Sequence, residues 1–267
     1  MELKGILPSV TNMNKYFKVT LAIVKNNLIR EMEYRVNFFV WLFIQILWVS
    51  LQIFIVQILF QHTNNILGWT KPEIFLLIGM FRIIRGIFDF FVYANLTYLP
   101  EDINTGNLDY TLTKPINTLY LSSFRKHQYD QIGTFFSGIG FVIYAGPTVN
   151  IIIFGILILC GFLAFYSLIL MVSTLSFFLT KLRAISSIHD IVNTILRYPV
   201  DLLLGNRSGM NLLLLPLTII ATIPAKIVLG KTSPTVLVVE IISVILFFLL
   251  AICFWKYALK RYSSASS

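Results

Sequence analysis

Three charged residues stand in the interior of an otherwise apolar stretch of the chain, at residues 72–96, which also has Glu73 at its start. Arg82, Arg85 and Asp89 are spaced at i, i+3 and i+7, so a helix projects all three from one face. Asp89 follows Arg85 by one helical turn and can pair with it. Because charges are costly in lipid, the three side chains should face protein or water. Two interpretations remain open: a polar pathway or gate, and a structural ion pair between packed helices.

Other candidate chemistry is weak in this sequence. Residues 225–232 read A-K-I-V-L-G-K-T, a loose form of the phosphate-binding G-x-x-x-x-G-K-[ST] pattern. A phosphate cradle needs a flexible loop, whereas this stretch is apolar inside, so we interpret the match as coincidence. His62, His127 and His189 are scattered, without an H-E-x-x-H pair or a G-x-S-x-G elbow. The sequence therefore predicts no catalytic residue, no metal site and no cofactor bound by this chain.

A polar, turn-rich segment at residues 98–128 separates two apolar stretches and contains a compact pattern. Gly106 permits a turn that a residue with a Cβ resists. Leu108 and Leu112 lie four apart, so one helical turn can present both on one side. A proline then ends that turn, because the residue before proline is pushed out of the α region. The pattern, I-x-x-G-x-L-D-x-x-L-x-K-P, comprises Ile103, Gly106, Leu108, Asp109, Leu112, Lys114 and Pro115.

The composition is that of an integral membrane protein. Of 267 residues, 57% are hydrophobic and only 12% are charged, and the mean hydropathy is +0.81. Apolar runs of about twenty residues recur, which favours several transmembrane helices and an all-α fold. The net charge of +9 does not indicate nucleic acid, because the basic residues lie mostly beside apolar runs. They are better interpreted as topology signals and contacts to anionic lipid.

The loop pattern resembles a cytoplasmic loop of type-two ABC exporters, in the branch of small six-span permeases encoded apart from their ATPase. In that family the loop between the second and third spans carries a coupling helix, which sits in a groove of the nucleotide-binding subunit. The resemblance implies this role for the seven pattern residues. It also implies an ABC ATPase partner that binds ATP and Mg, and a second copy or a related permease. Outside the loop, the resemblance extends loosely from about Asn14 and rests on the order of the spans.

The N-terminal region, residues 1–35, is predicted to be a cytoplasmic tail followed by an interfacial helix. From residue 15 onward, apolar side chains recur at three- and four-residue steps, with lysines elsewhere on the helical wheel. That periodicity indicates an amphipathic helix at the membrane surface. The resemblance adds that such a helix is an elbow that leans on the ATPase. Residues 36–267 then form the predicted six-helix transmembrane domain.

Five of the predicted spans are clear, at residues 36–60, 72–96, 131–146, 151–180 and 236–255. The second begins with a capping box at Thr70 and Glu73, and Gly133, Ser137 and Gly140 form a small-residue stripe along the third. The remaining crossing is either 186–204 or 212–229. Charge bias favours the latter, since it keeps Arg197 and Arg207 inside. The resemblance instead favours a re-entrant segment at 210–230 before the last span.

Basic residues predict which parts of the chain face the cytoplasm. They are concentrated in residues 15–35, in the loop around Lys114 and in the C-terminal tail, whereas residues 61–69 carry none. Both termini and the loop are therefore expected on the inner side of the cytoplasmic membrane. The leading hypothesis is a permease subunit that exports a substrate with ATP hydrolysed by a separate subunit. The alternative is a stand-alone ion channel or secondary transporter that uses Arg82, Arg85 and Asp89.

Overall fold

The computed structural model describes residues 10–33, 35–147, 150–179, 185–200 and 216–262. These residues form helices joined by short turns, and they contain no β-strand. The all-α prediction is therefore confirmed for the described part of the chain. The described part does not include residues 1–9 of the predicted tail. It also leaves out residues 201–215, which contain Arg207, the end of the candidate crossing 186–204 and the start of the candidate crossing 212–229.

Eleven α-helices follow one another along the described residues. They are α1 (Val10–Met32), α2 (Arg35–Leu59), α3 (Lys71–Phe88), α4 (Ala94–Asn104), α5 (Asn107–Leu112), α6 (Thr118–Phe124), α7 (Ile132–Ala145), α8 (Ile151–Thr174), α9 (Ile185–Ile195), α10 (Ile223–Val228) and α11 (Pro234–Lys260). A π-helical turn at Asp89–Tyr93 joins α3 directly to α4, and another at Thr218–Thr222 leads into α10. Short 3-10 turns lie at Tyr129–Gln131 and Leu175–Phe177.

Three helices are long and apolar enough to cross a bilayer: Phe39–Leu59, Ile151–Phe177 and Pro234–Lys260. They correspond to the first, fourth and last predicted spans and make the chain a multi-pass membrane protein. The second predicted span is helical throughout but carries charges, and α7 has only 14 residues. A straight crossing needs about 20 residues, so six spans remain a prediction. The choice of the fifth crossing stays open, with the apolar helix Thr218–Val228 shorter than a span.

The buried core is centred on α3, which is covered by α7 on one side and α8 on another. Leu76, Leu77, Met80 and Ile84 of α3 are fully buried, whereas α2 is mostly exposed. The α3 and α7 backbones touch at a pair of glycines. A Cβ on Gly138 would lie 2.8 Å from the Gly79 carbonyl oxygen. No side chain fits between the two helices at this point.

The small-residue stripe predicted on α7 does not mark the closest contact of this helix with a neighbour. Gly140 has no atom within 4 Å of the position of a Cβ, and Gly133 has only an ordinary contact at 3.5 Å, with Leu42. The glycine that allows close approach is Gly138, which the stripe omitted. Gly138 is the residue that meets α3. Gly140 lies two residues later, and because an α-helix turns by about 100° per residue, it points to the opposite side of α7.

The predicted start of α3 is confirmed, and it joins two turns at one end of the bundle. The Glu73 carboxylate accepts a hydrogen bond of 2.7 Å from the Thr70 N–H, as in a capping box. Lys231 Nζ donates to the same carboxylate and to the Gly68 carbonyl, both at 2.6 Å. The connection before α3 is thus tied to the turn before α11.

Candidate functional site

The polar loop folds into two short helices between α4 and α7. Gly106 adopts a left-handed conformation, with φ 74° and ψ 4°, so that the chain reverses from α4 into α5. Helix α5 ends at Leu112, just before Lys114 and Pro115. The predicted turn and short helix are both present in this structure.

The two leucines of the loop do not share one exposed face, contrary to expectation. Leu108 is 1% exposed and belongs to the buried core of the chain, and Ile103 is also buried. Leu112 is 39% exposed, and Tyr110 between them is 74% exposed. The reason is that α5 packs against α4 and α6, so part of its surface is covered. The large side chains of α5 that can meet another protein are therefore Tyr110 and Leu112.

The segment that follows α6 is fixed to α4 by polar contacts. Arg125 donates to the Asp102 carboxylate at 2.9 Å. The Asn95 amide bonds both the N–H and the carbonyl of Lys126, each at 2.8 Å. Ser123 shares a buried hydrogen bond of 2.9 Å with Tyr166 of α8. Because these contacts reach both α4 and α8, the loop is braced against the bundle.

Helix α1 packs against the same loop. Hydrogen bonds join Thr20 to the Tyr120 hydroxyl, the Asn27 amide to the Arg125 carbonyl and to His127 Nδ1 (3.0 Å each), and the Tyr129 hydroxyl to the Val24 carbonyl (2.7 Å). These bonds link residues about one hundred positions apart in sequence. Helix α1 and the loop therefore form one continuous unit, which we call the loop–elbow unit: α1 with residues 98–131.

His127 is a packing residue within the loop–elbow unit. Its ring lies 5.4 Å from both Phe90 and Phe91, measured between ring centroids. Burial lowers the pKa of His127 below its ordinary value. The Asn27 amide lies 3.0 Å from Nδ1 of this ring and links it to α1.

The end of α11 lies beside the loop. Tyr262 faces the Asp109 carboxylate, and burial together with this negative charge raises the pKa of Tyr262. Its ring also packs edge-on against Phe177, with the centroids 5.8 Å apart. The end of α11 thus lies at the same end of the bundle as α1 and the loop. Lys231 and Gly68 meet at the opposite end, where α3 and α11 begin.

The charged residues of the second predicted span separate into two groups. Arg85 Nε donates to Asp89 Oδ2 at 2.9 Å, the pairing that their spacing predicts. Asp89 is 2% exposed, and its other oxygen lies 3.0 Å from His189 Nε2. His189 in turn contacts the Asn193 amide at 3.0 Å. A buried network therefore connects the junction of α3 and α4 to α9.

Sequence reasoning missed the role of His189, which it treated as one of three scattered histidines. The only signal was the i, i+4 spacing of His189 and Asn193 within a polar-faced helix, which places both side chains on one side. Nothing in the sequence relates that side to Asp89, one hundred residues earlier.

Arg82 lies apart from this network and has neutral partners. Its guanidinium donates to Ser137 Oγ at 2.8 Å, Gln52 Oε1 at 3.2 Å and Gln45 Oε1 at 3.3 Å. These bonds join α3 to α7 and to α2. Arg82 and the Arg85–Asp89 pair thus have different hydrogen-bond partners, although Arg82 and Arg85 lie near each other on α3.

Within the described ranges, no group of three His, Cys, Asp or Glu residues is arranged to hold a metal ion. The stretch that resembles a phosphate-binding pattern is helical up to Val228 and then turns at Gly230. Its lysine, Lys231, binds the Glu73 carboxylate. This part of the chain is a helix end, and it lacks the strand–loop–helix form of a phosphate cradle.

The apolar helices and the braced polar loop at one end define a multi-pass helical membrane protein. A family model described as ABC-2 family transporter protein matches residues 46–266 of this chain. The chain therefore belongs to the ABC-2 transporter family and is an ABC transporter permease, which confirms the resemblance found in the loop. This family is the membrane-spanning component of its transporters. No curated protein and no solved structure gives a significant match.

Proposed function

We propose that this permease exports its substrate across the cytoplasmic membrane, driven by ATP that a separate nucleotide-binding subunit hydrolyses. ATP and Mg bind to that partner, and two permeases, either two copies or one copy and a related chain, complete the transporter. The observation that carries the proposal is the loop–elbow unit. A segment that receives motion from the ATPase must be exposed to bind that subunit, and it must be held firmly against the bundle to pass the motion on. Membership of the ABC-2 family favours this function over a stand-alone channel or secondary transporter.

The proposed path of motion runs from α5 to the intramembrane charges. Tyr110 and Leu112 contact the ATPase, and the bracing of α6 to α4 passes any displacement to α4. Because α4 continues into α3 through the π-helical turn that begins at Asp89, movement of α4 reaches the Asp89–His189 contact. A wide helical turn of this kind is a frequent site of local adjustment in helices. The Asp89 network is then the hinge of the proposed transport cycle.

Substitutions in α5 test the coupling. Leu112→Asp should weaken co-purification of the ATPase subunit about tenfold or more, because it places a charge in an apolar contact. Leu108→Asp should instead unfold the permease, since Leu108 is buried within this chain. The matched control is Leu67→Asp, at a 72% exposed leucine far from the loop, which should leave association unchanged. Normal ATPase binding and transport by the Leu112→Asp protein would contradict this role of α5.

Membrane sidedness is a second requirement of the proposal. Asn107 and Asn65 are exposed and lie in connections at opposite ends of the bundle. With Cys160 and Cys253 replaced, single cysteines at these two positions should react differently with a membrane-impermeant thiol reagent on intact cells. Cysteine at position 65 should react and cysteine at position 107 should react only after the membrane is opened. External reaction at position 107 would place the loop away from ATP and end the exporter proposal.

A further inference from the structure

A cavity of about 210 Å³ lies between α2, α3 and the segment after α9. Its polar lining includes the guanidinium groups of Arg82, Arg85 and Arg197 and the amides of Gln45 and Gln52. Guanidinium and amide donors that converge from α2, α3 and the segment after α9 are typical of a site that binds an oxyanion.

The cavity has an excess of positive charge. Arg85 is paired with Asp89, but Arg82 binds only neutral oxygens. The Arg197 guanidinium lies 5.5 Å from the centre of the Trp48 ring. Among the described residues, neither Arg82 nor Arg197 forms an ion pair, and the acidic side chain of Asp190 near Arg197 is 76% exposed. Two arginine side chains within a membrane protein destabilise it unless an anion pairs with them.

The depth of the cavity indicates what kind of anion. If α3 is the second crossing, as predicted, Arg82 lies about 16 Å along it from Lys71, near the middle of a hydrocarbon core of about 30 Å. A resident lipid keeps its headgroup at the surface, so this depth favours an anion in transit over a resident headgroup. The α2 wall of the cavity also carries the apolar side chains of Trp41, Leu51 and Ile55, which are exposed. That wall suits an apolar tail beside the anionic head.

We propose that this cavity binds the phosphate-type oxyanion head of an amphiphile, and that the exported substrate is of this class. Arg197 and Arg82 hold the oxyanion, the glutamine amides donate to it, and the tail lies along α2. The statement about export rests on the proposed function, whereas the binding site itself does not. A purely structural reading, in which Arg82 only joins three helices, predicts no ligand.

Binding can be measured on the purified permease alone, without ATPase or nucleotide, by calorimetric titration with dihexanoyl phosphatidic acid. Arg197→Gln should weaken this binding about tenfold, the usual effect of losing one charge-assisted contact. Arg261→Gln is the matched control, since Arg261 packs over Tyr257 outside the cavity. Arg82→Gln should weaken binding further, and if that protein does not fold, Arg197→Gln still carries the test.

Two further titrations separate the sources of the oxyanion. Inorganic phosphate should bind at least tenfold more weakly than the lipid probe, and dihexanoyl phosphatidylcholine, which has no net charge, should also bind weakly. Equal binding of inorganic phosphate would reveal a free-anion site, and equal binding of phosphatidylcholine an apolar groove. Either result, or unchanged binding by Arg197→Gln, would overturn the proposal.

A final experiment addresses export. In vesicles that contain permease and ATPase, phosphatidic acid should stimulate ATP hydrolysis by the native permease and much less by Arg197→Gln. Binding without stimulation in an assembled, active complex would remove the substrate assignment. Failure of the ATPase to associate at all would instead contradict the proposed function and leave the binding site standing.

Discussion

Replacing Asp89 with leucine should lower the free energy of unfolding in detergent by roughly 3–5 kcal/mol, the range for breaking a buried ion pair from one side. Asp89 is 2% exposed and accepts from Arg85 and His189, so its loss leaves Arg85 without its carboxylate partner. Arg85→Leu should also destabilise. The double variant should be less destabilised than the sum of the two, because no uncompensated charge remains.

A double-mutant cycle on thermal unfolding measures this coupling. The matched control is the cycle for Asp102 and Arg125, a pair at the same 2.9 Å separation whose side chains are partly exposed, at 21% and 35%. That cycle should give no more than about 1 kcal/mol, as partly exposed pairs do. Strict additivity at Arg85 and Asp89 would show that the contact contributes nothing to the bundle.

Gly138→Ala should be the other strongly destabilising change, with a loss of about 3 kcal/mol at the upper end of the range for overpacking. The added methyl group would lie 2.8 Å from both the Gly79 carbonyl oxygen and the Ile83 backbone nitrogen. Backbone atoms cannot rotate away as a side chain can, so α3 and α7 must separate. We expect a lower melting temperature for the purified protein.

Gly140→Ala is the matched control, two residues away on the same helix. Nothing lies within 4 Å of its added methyl group, so only helix propensity changes, and this favours alanine by up to about 1 kcal/mol. The two alanine variants should therefore shift the melting temperature in opposite directions. A similar shift in both would contradict the close contact of α3 and α7.

Several features of the loop and its neighbouring span could be predicted because they depend on nearby residues. The turn at Gly106, the cap of α3 by Glu73 and the pairing of Arg85 with Asp89 each involve residues no more than four positions apart. Helical periodicity and backbone preference decide such contacts. The seven-residue pattern of the loop, from Ile103 to Pro115, was also enough to indicate the ABC-2 family.

Burial within the loop could not be predicted from that pattern. Leu108 and Leu112 have the same side chain and a spacing of four, yet one is buried and the other is partly exposed. The difference arises from how α5 packs against α4 and α6, which is a property of the tertiary structure. For this reason the side chains expected to meet the ATPase are now Tyr110 and Leu112.

The sequence by itself determined that this chain is an all-helical membrane protein with a short helix in a polar loop, because apolar composition and turn chemistry are local properties. Only the tertiary structure decided that His189 meets Asp89, that Arg82 binds Gln45 and Gln52 on α2, and that Gly138 meets α3. Each of these contacts joins residues dozens of positions apart, and their partners depend on how helices pack. Side-chain spacing within one helix carries no information about which helix lies opposite it.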